Sequence, residues 1–134
     1  MQAQPETDDE RLVLAFLADL AAGSADKLEQ YFTPDAVYHN IPLPPAHGRD
    51  AVMATLRGLF TVLSVDGIDT THLASRDGFV FTERIDHLTA LSTGKSCPLP
   101  VAGVFEIVDG QIAAWRDYFD LRDFEEAVDL RLRG

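Results

Sequence analysis

The sequence predicts an α+β protein in which three helices pack on a curved antiparallel sheet, in the shape of a cone or half-barrel. Apolar residues recur at helical spacing in the first half of the chain, whereas the second half consists of β-prone segments separated by turn signals. The length of 134 residues suits one domain, and 46% hydrophobic with 25% charged residues is typical of a globular chain. We therefore expect a single domain over residues 1–134, with a disordered head at residues 1–8.

Two helices and a strand are predicted near the start of the chain. Apolar residues at helical spacing between residues 12 and 20 indicate the first helix. A second, short helix is expected from Ala25 to Phe32, because the Thr-Pro-Asp triplet at 33–35 has the composition of a turn that would end it. The segment AVYHNI, residues 36–41, then reads as a strand.

A rigid loop and a third helix follow. The segment PLPPAHG, residues 42–48, is too rich in proline for a helix or a central strand, so we expect an extended loop. From about Arg49 onward, apolar residues again recur at helical spacing as far as Leu63.

Four strands are predicted in the second half of the chain. Their approximate bounds are Ile68–Ala74, Gly78–Leu91, Pro98–Val108 and Gln111–Asp120. Turn sequences around Asp77-Gly78 and Asp109-Gly110 favour tight hairpins. An amphipathic helix, DFEEAVDL, is expected near the end of the chain.

Charge and composition exclude several classes of partner. The formal net charge is −11 without any cluster of lysine or arginine, which argues against binding to nucleic acid. No apolar run approaches the roughly 20 residues that a membrane helix needs, so we expect no membrane insertion. The acidic start lacks the features of a secretory signal, and the single Cys97 cannot form an internal disulfide. These features predict a cytoplasmic protein.

One predicted strand carries charges on a face that also carries apolar residues. In FTERIDHLTAL, residues 81–91, strand alternation puts Arg84, Asp86 and Leu88 on the same side of the chain. A strand that only covers a core would not place a guanidinium and a carboxylate beside a leucine.

The same anomaly recurs in two other strands. In WRDYFD, Asp117 shares a face with Trp115 and Phe119, and in AVYHNI, Tyr38 and Asn40 lie two residues apart. If these faces are the concave ones, the charges are carried inward, where they must satisfy one another.

One arginine between two carboxylates is a workable arrangement for such a buried cluster. If both acids are ionised, Arg84, Asp86 and Asp117 together carry a charge of −1. This surplus negative charge in a poorly solvated pocket favours keeping one proton on the pair of acids. One neutral and one ionised carboxyl is the arrangement of a general acid and a general base. An Arg/Asp network that only braces the sheet, or charges that face solvent, would produce the same pattern, and periodicity does not choose between these readings.

The remaining polar residues give weaker signals. The four histidines, His39, His47, His72 and His87, show no pairing at metal-ligand spacing. Cys97 has no base beside it in sequence, and the chain contains no phosphate-binding glycine loop. We therefore expect no metal site.

Several separated blocks of the chain resemble the limonene-1,2-epoxide hydrolase family. The blocks are YHNIPLPPAHGRDAV, GLFTVLS, FTERIDHLTALSTGK, GVFEI and WRDYFDLRDFEEAVDLRLRG. The likeness runs from about Leu12 to the C-terminus. It implies a cystatin-like or nuclear-transport-factor-2-like cone: a curved, mixed sheet, whose first strand pairs in parallel, with helices that close a deep apolar pocket. It also implies a homodimer.

The resemblance also implies a role for each polar residue. Asp117 resembles the base that deprotonates water, and Tyr38 and Asn40 resemble the groups that hold this water. Asp86 resembles the acid that protonates the epoxide oxygen, and Arg84 resembles the bridge between the two acids. The implied reaction is hydrolysis of a small hydrophobic epoxide to a diol in one concerted step, with no covalent ester and no cofactor.

The wall of the expected substrate pocket is apolar. Strand alternation places Leu88 and Phe119 in it, and the resemblance adds Leu17, Leu20, Leu63, Ile68, Leu99, Val101 and Phe124. Ordinary core packing is the alternative for each of these seven.

Two other functions are compatible with the same pattern. A cone-fold isomerase or polyketide cyclase would use a carboxylate to move a proton near a carbonyl group. A non-catalytic ligand-binding module of the same fold has little need for two acids, an arginine and a Tyr/Asn pair.

Overall fold

The computed structural model describes residues 2–132, in which a six-stranded mixed sheet carries four α-helices. The helices are α1 (Asp8–Ala21), α2 (Ala25–Leu28), α3 (Arg49–Val62) and α4 (Leu121–Val128). The strands are β1 (Phe32–Asn40), β2 (Ala46–His47), β3 (Leu63–Arg76), β4 (Phe79–Ala90), β5 (Ser96–Val108) and β6 (Gln111–Tyr118). The spatial order of the strands is β2-β1-β6-β5-β4-β3.

The sheet is antiparallel except where β1 lies beside β6. This pair is parallel, with Tyr38 opposite Trp115 and Asn40 opposite Asp117. The mixed sheet that the family resemblance implies is therefore confirmed, whereas the purely antiparallel sheet expected from the residues alone was wrong at this pair. Periodicity within a strand carries no information about the direction of its neighbour.

Both predicted hairpin turns are present. Asp77 and Gly78 have φ values of 53° and 81°, and Asp109 and Gly110 have values of 49° and 76°. Two successive residues with positive φ match the right-handed twist of the flanking strands, which explains the Asp-Gly sequence at both places.

Helix α1 begins earlier than its apolar spacing predicts. The Thr7 hydroxyl accepts a hydrogen bond of 3.1 Å from the Glu10 amide, and the Glu10 carboxylate accepts one of 3.0 Å from the Glu6 amide. This capping arrangement satisfies amide groups in the first turn, so the helix starts at Asp8.

The head of the chain, which the sequence predicts to be disordered, has a defined place beside β3. The Ala3 amide donates to the carbonyl of Thr70 at 2.7 Å, and the Thr70 amide donates to the Gln2 side chain at 3.0 Å. Met1, and residues 133–134 of the expected domain, lie outside the described part of the chain.

The second predicted helix is shorter than expected. Helix α2 ends at Leu28, a 3₁₀ turn spans Glu29–Tyr31, and Phe32 already belongs to β1. The prediction of a turn at residues 33–35 was wrong. Strand β1 begins at Phe32, whose side chain is buried in the core, and it continues through these three residues. The pairing register shifts between Phe32 and Val37, which lets the strand contain a proline that cannot donate a hydrogen bond.

Three other boundaries differ from the prediction. Strand β3 starts at Leu63, directly after α3, and β2 is a two-residue edge strand inside the predicted proline-rich loop. Strand β6 stops at Tyr118, because Asp120 caps α4 by accepting a 3.0 Å hydrogen bond from the amide of Asp123.

Two apolar clusters stabilise the fold, and the concave face of the sheet contributes to both. In the larger one, the ring of Phe16 from α1 meets Trp115 edge-on, with centroids 4.9 Å apart. In the smaller one, Phe124 of α4 packs with Leu63 and Val101. No helix in residues 2–132 combines the length and apolar character that crossing a membrane requires.

Candidate active site

Arg84 lies at the centre of the polar cluster and uses all five of its N–H donors. Toward Asp86 it donates from Nε to Oδ1 at 3.1 Å and from Nη2 to Oδ2 at 3.0 Å. Toward Asp117 it donates from Nη1 to Oδ1 at 3.1 Å and from Nη2 to Oδ2 at 2.9 Å. The fifth donor, on Nη1, reaches the hydroxyl of Thr82 at 3.3 Å. The guanidinium therefore holds both carboxylates in fixed positions.

The cluster is almost completely removed from solvent. The Arg84 side chain is fully buried, and those of Asp86 and Asp117 are 12% and 7% exposed. Burial raises the pKa of Asp117 above its ordinary value; Arg84 counteracts this and the negative Asp86 adds to it. Burial alone would lower the pKa of Arg84, but the two carboxylates outweigh it and raise that pKa.

Asp117 also contacts Trp115, the preceding residue of β6 whose side chain points to the same face. The indole N–H of Trp115 donates to Oδ1 of Asp117 at 2.8 Å, so Oδ1 accepts two N–H groups and Oδ2 accepts one. The parallel register places Asn40 directly beside Asp117, and the amide of Ile41 donates to the Asp117 carbonyl at 2.9 Å.

Tyr38 and Asn40 form a pair next to this carboxylate. The Asn40 amide nitrogen donates to the phenolic oxygen of Tyr38 at 3.0 Å, and the Tyr38 ring stacks on Trp115 with centroids 4.0 Å apart and planes at 13°. Burial, followed by the negative charge of Asp117, raises the pKa of Tyr38, so its phenol stays neutral. Among residues 2–132, the phenolic O–H of Tyr38 has no hydrogen-bond acceptor and the side-chain oxygen Oδ1 of Asn40 has no donor, so both can bind a small molecule.

Thr82 and Gly103 complete the cluster and were missed by the sequence analysis. Gly103 lies between Thr82 and Asp117 in the strand register. A Cβ atom at this position would overlap Nη1 of Arg84 and lie 2.7 Å from Oδ1 of Asp117. A glycine inside a strand often marks such a close approach, and that was the available signal.

An apolar cavity opens above the polar cluster. It encloses about 730 Å³ between its walls, part of which is open to solvent. Its polar lining consists of Tyr38, Asn40, Asp86 and Asp117, and its other lining residues are Leu20, Leu43, Leu56, Leu59, Phe60, Leu63, Val65, Leu88, Leu99, Val101, Trp115, Phe119, Phe124 and Leu132. The four polar groups thus lie in the wall of an otherwise apolar space.

Seven of the nine predicted wall residues line this cavity: Leu20, Leu63, Leu88, Leu99, Val101, Phe119 and Phe124. Leu17 and Ile68 do not line it. Leu17 is buried in the larger core cluster, and Ile68 packs against that cluster. The sequence pattern distinguishes apolar from polar positions, but not core from cavity wall.

Other lining residues were not predicted. They come from the proline-rich loop, α3, the start of β3, β6 and the C-terminal segment, and comprise Leu43, Leu56, Leu59, Phe60, Val65, Trp115 and Leu132. Leu132 is held in place because its amide donates a 2.7 Å hydrogen bond to Oε2 of the buried Glu125.

His72 and His87 form contacts of their own with surface carboxylates. His87 contacts Asp69 at 2.9 Å and His72 contacts Glu83 at 3.0 Å, both at the surface. Within residues 2–132, no group of three or more His, Cys, Asp or Glu side chains is arranged to hold a metal ion.

Comparison with known proteins agrees with this geometry. Residues 7–129 match the model of the limonene-1,2-epoxide hydrolase catalytic domain. Epoxide hydrolase EphG of Mycobacterium tuberculosis is 34% identical over 126 residues, which cover 91% of this chain and 78% of that protein. A solved structure of an LEH-like epoxide hydrolase from M. tuberculosis is 30% identical, with a TM-score of 0.78 and 92% of each chain covered.

More distant structures share only the fold. A protein from Catenulispora acidiphila with a ketosteroid isomerase-like fold has a TM-score of 0.82 at 17% identity, with 96% of each chain covered. This likeness supports the cone-shaped α+β architecture but carries no information about the reaction. The domain match over residues 7–129 and the 34% identity to an epoxide hydrolase show that the chain belongs to the limonene-1,2-epoxide hydrolase family of epoxide hydrolases.

Proposed function

We propose that the protein adds water to a small hydrophobic epoxide and forms a vicinal diol in one concerted acid/base step, without a cofactor. The observation that carries the proposal is the bidentate contact of one buried arginine with two carboxylates in the wall of an apolar cavity. Two acids held in fixed positions about one cation can give up and accept protons within a single reaction step.

Asp117 is the proposed base. Its Oδ2 accepts only one N–H group, so it retains a lone pair for a proton from water. A raised pKa suits this role, because a stronger base removes a proton from water more readily. The neighbouring Asn40 oxygen can accept the second hydrogen of the water, and the Tyr38 O–H can donate to one of its lone pairs. The remaining lone pair is then free to attack an epoxide carbon.

Asp86 is the proposed acid. It accepts two N–H groups, whereas Asp117 accepts three, and hydrogen bonds from N–H donors favour the ionised form of the carboxyl that accepts them. In the proposed step, Asp86 carries the single proton that the pair shares.

The proposed step conserves charge in the cluster. The bond from water oxygen to carbon forms while the epoxide carbon–oxygen bond breaks, Asp86 gives its proton to the leaving oxygen, and Asp117 takes one from water. The pair carries one proton before and after, so the two acids together keep a charge of −1 and, with Arg84, the cluster stays neutral in a site with little solvent to screen it. A proton transfer from Asp117 back to Asp86 restores the starting state.

The cavity favours an apolar substrate. Leucine, valine and aromatic side chains form most of its wall, so binding a terpene-like or fatty epoxide removes apolar surface from water. Roughly 25 cal/mol for each Å² of buried apolar surface provides the affinity. The polar groups orient the three-membered ring.

A homodimer is part of the proposal. On the face of the sheet opposite the cavity, neighbouring strands bring Phe81 beside Val104, Ile85 beside Pro100 and Ala102 beside Tyr118. Phe81 and Tyr118 are 47% and 45% exposed, which leaves an apolar patch. An apolar patch on a regular sheet face suits a second copy of the same face. Analytical ultracentrifugation of the wild-type protein and Phe81→Glu tests this: a wild type that sediments as a monomer contradicts it.

The experiment that tests the reaction is hydrolysis of terpene, styrene-type, cycloalkene and fatty epoxides by purified protein in ¹⁸O-labelled water, under single-turnover conditions. We expect one ¹⁸O atom in the diol from the first turnover and none in the protein. The Asp117→Asn variant should lose at least about a thousandfold in turnover, since it removes the base. Label that enters an aspartate before the diol would contradict the one-step mechanism.

The alternative functions give different results in the same assay. An isomerase or cyclase would exchange a proton next to a ketone, and Asp117→Asn would abolish that exchange. A binding module would bind ligand equally well with or without Asp117→Asn, and its wild type would turn over no epoxide.

A further inference from the structure

We propose that Thr82 is a positioning residue for the hydrolysis. The inference rests on the proposed function, because Thr82 acts only through Arg84. Its hydroxyl accepts the one Arg84 N–H, on Nη1, that neither carboxylate uses.

The Thr82 hydroxyl is itself oriented by the backbone. It donates to the carbonyl of Gly103 at 3.1 Å, which turns its lone pairs toward Nη1 of Arg84 at 3.3 Å. Thr82 is 5% exposed and does not line the cavity, so it has no contact with the substrate. Removing the Thr82 hydroxyl should therefore lower the rate of the chemical step without changing the affinity for the substrate.

The physical role follows from how Arg84 divides its donors. Nε and Nη2 hold Asp86, whereas Nη1 and Nη2 hold Asp117. Without the Thr82 hydroxyl, one N–H of Nη1 is buried with no acceptor, and no contact on that side keeps the guanidinium from moving closer to Asp117. Asp117 would then become a weaker base, and the hydrogen bonds to Asp86 would lengthen.

Gly103 makes this position of Arg84 available. Its missing side chain leaves the space in which Nη1, the Thr82 hydroxyl and Oδ1 of Asp117 meet, since a Cβ would lie 2.9 Å from that hydroxyl and 2.7 Å from Oδ1. Thr82 thus supplies the hydrogen-bond acceptor for Nη1, and Gly103 supplies the space that Nη1 occupies.

Three variants test the role of the hydroxyl. Thr82→Val keeps the shape and removes the acceptor, and Thr82→Ser keeps the acceptor. Thr71→Val makes the same exchange on the exposed side of β3, where the hydroxyl contacts the Glu83 carbonyl and the His72 ring, both away from Arg84. For Thr82→Val we expect kcat to fall roughly tenfold to a hundredfold with KM unchanged, and both limbs of the pH–rate profile to move. Thr82→Ser should restore most of the rate, and Thr71→Val should behave as wild type.

A measurement without turnover separates this inference from the proposed function. Titration of the ¹³C-labelled carboxyls of Asp86 and Asp117 by NMR should show, in Thr82→Val, a lower apparent pKa for the carboxyl of Asp117 than in the wild type. An inactive wild type whose titration still moves would refute the hydrolysis but support the positioning role. An unmoved titration in folded Thr82→Val, or a Thr82→Ser variant as slow as Thr82→Val, overturns the role of the hydroxyl.

Discussion

The indole nitrogen of Trp115 donates a 2.8 Å hydrogen bond to Oδ1 of Asp117, two residues farther along the same strand. Strand alternation directs both side chains toward the cavity, and the Trp115 ring also stacks on Tyr38. One aromatic residue thus contacts both the proposed base and one of the proposed water ligands. The first prediction follows from this contact.

Trp115→Phe should move the acidic limb of the pH–rate profile to higher pH. The substitution keeps an aromatic ring against Tyr38 but removes an N–H that favours the ionised form of Asp117, so the pKa of Asp117 rises further. Asp117 then becomes ionised only at higher pH. We expect kcat at pH of about 6 to fall roughly tenfold, measured with a saturating epoxide. An acidic limb that stays in place would contradict the proposed role of Asp117 as the base.

Gly103→Ala should destabilise the protein and abolish hydrolysis. The new methyl group would overlap Nη1 of Arg84, which hydrogen bonds to Thr82 and Asp117 hold in place. The expected loss in the free energy of unfolding is about 1–3 kcal/mol, measured by urea denaturation.

A matched control is Gly58→Ala. Gly58 lies in α3 with no atom within 4 Å of a Cβ built on it, so this change should stabilise the protein by about 0.5–1 kcal/mol. If Gly103→Ala unfolds at the same urea concentration as the wild type, the close approach of Gly103 to Arg84 does not matter for stability.

The stability difference between the wild type and Asp117→Asn should depend on pH. Because the pKa of Asp117 is raised in the folded protein from its ordinary 3.8, the folded state keeps a proton that the unfolded chain has released. The contribution of Asp117 to the free energy of unfolding is therefore fully present below pH 3.8 and declines as pH rises through the folded pKa. In Asp117→Asn, the free energy of unfolding lacks this dependence on pH, because asparagine does not titrate.

Urea denaturation of both proteins at several pH values between about 4 and 8 measures this difference. We expect the wild type to lose stability relative to Asp117→Asn as the pH increases. A difference that is constant with pH would show that Asp117 has the same pKa in the folded and unfolded states.

Glu125→Ala should weaken substrate binding by releasing the C-terminal segment. The Glu125 carboxylate accepts a hydrogen bond from the amide of Leu132, which lines the cavity. We expect KM for a small epoxide to rise roughly threefold to tenfold, and the free energy of unfolding to fall by about 1 kcal/mol.

Glu126→Ala is the control on the same helix, because Glu126 accepts a 3.1 Å hydrogen bond from the exposed side chain of Arg122. Its KM should equal that of the wild type. Equal KM values for the two variants would mean that the Leu132 contact does not shape the site.

The sequence alone predicted much of the fold for local reasons. The two Asp-Gly turns need positive φ, and their positions set where β3 ends and β4 begins, and where β5 ends and β6 begins. Alternation in β4 and β6 placed Arg84, Asp86 and Asp117 on one face, and the structure brings these three into contact. Each of these features depends on residues that are close together in the chain.

Other features could not be obtained this way. Phe32 was assigned to a helix because its neighbours favour one, but its ring is buried and its backbone pairs with Ile112. Leu17 and Leu20 both belong to the apolar face of α1 and to the larger core cluster, yet only Leu20 also lines the cavity. The outcome depends on which distant strand packs against the helix, and local pattern does not contain that information.

The sequence by itself determined the strand faces, the hairpins and the residue types of the polar cluster, because backbone geometry imposes a period of two on every strand. Only the tertiary structure decided that β1 runs parallel to β6, which brings Asn40 beside Asp117. Only the tertiary structure revealed that Thr82 and Gly103 complete the contacts of Arg84, because these contacts join three strands. Burial then decides how the charges behave, since it raises the pKa of Asp117 in a way that no sequence pattern specifies.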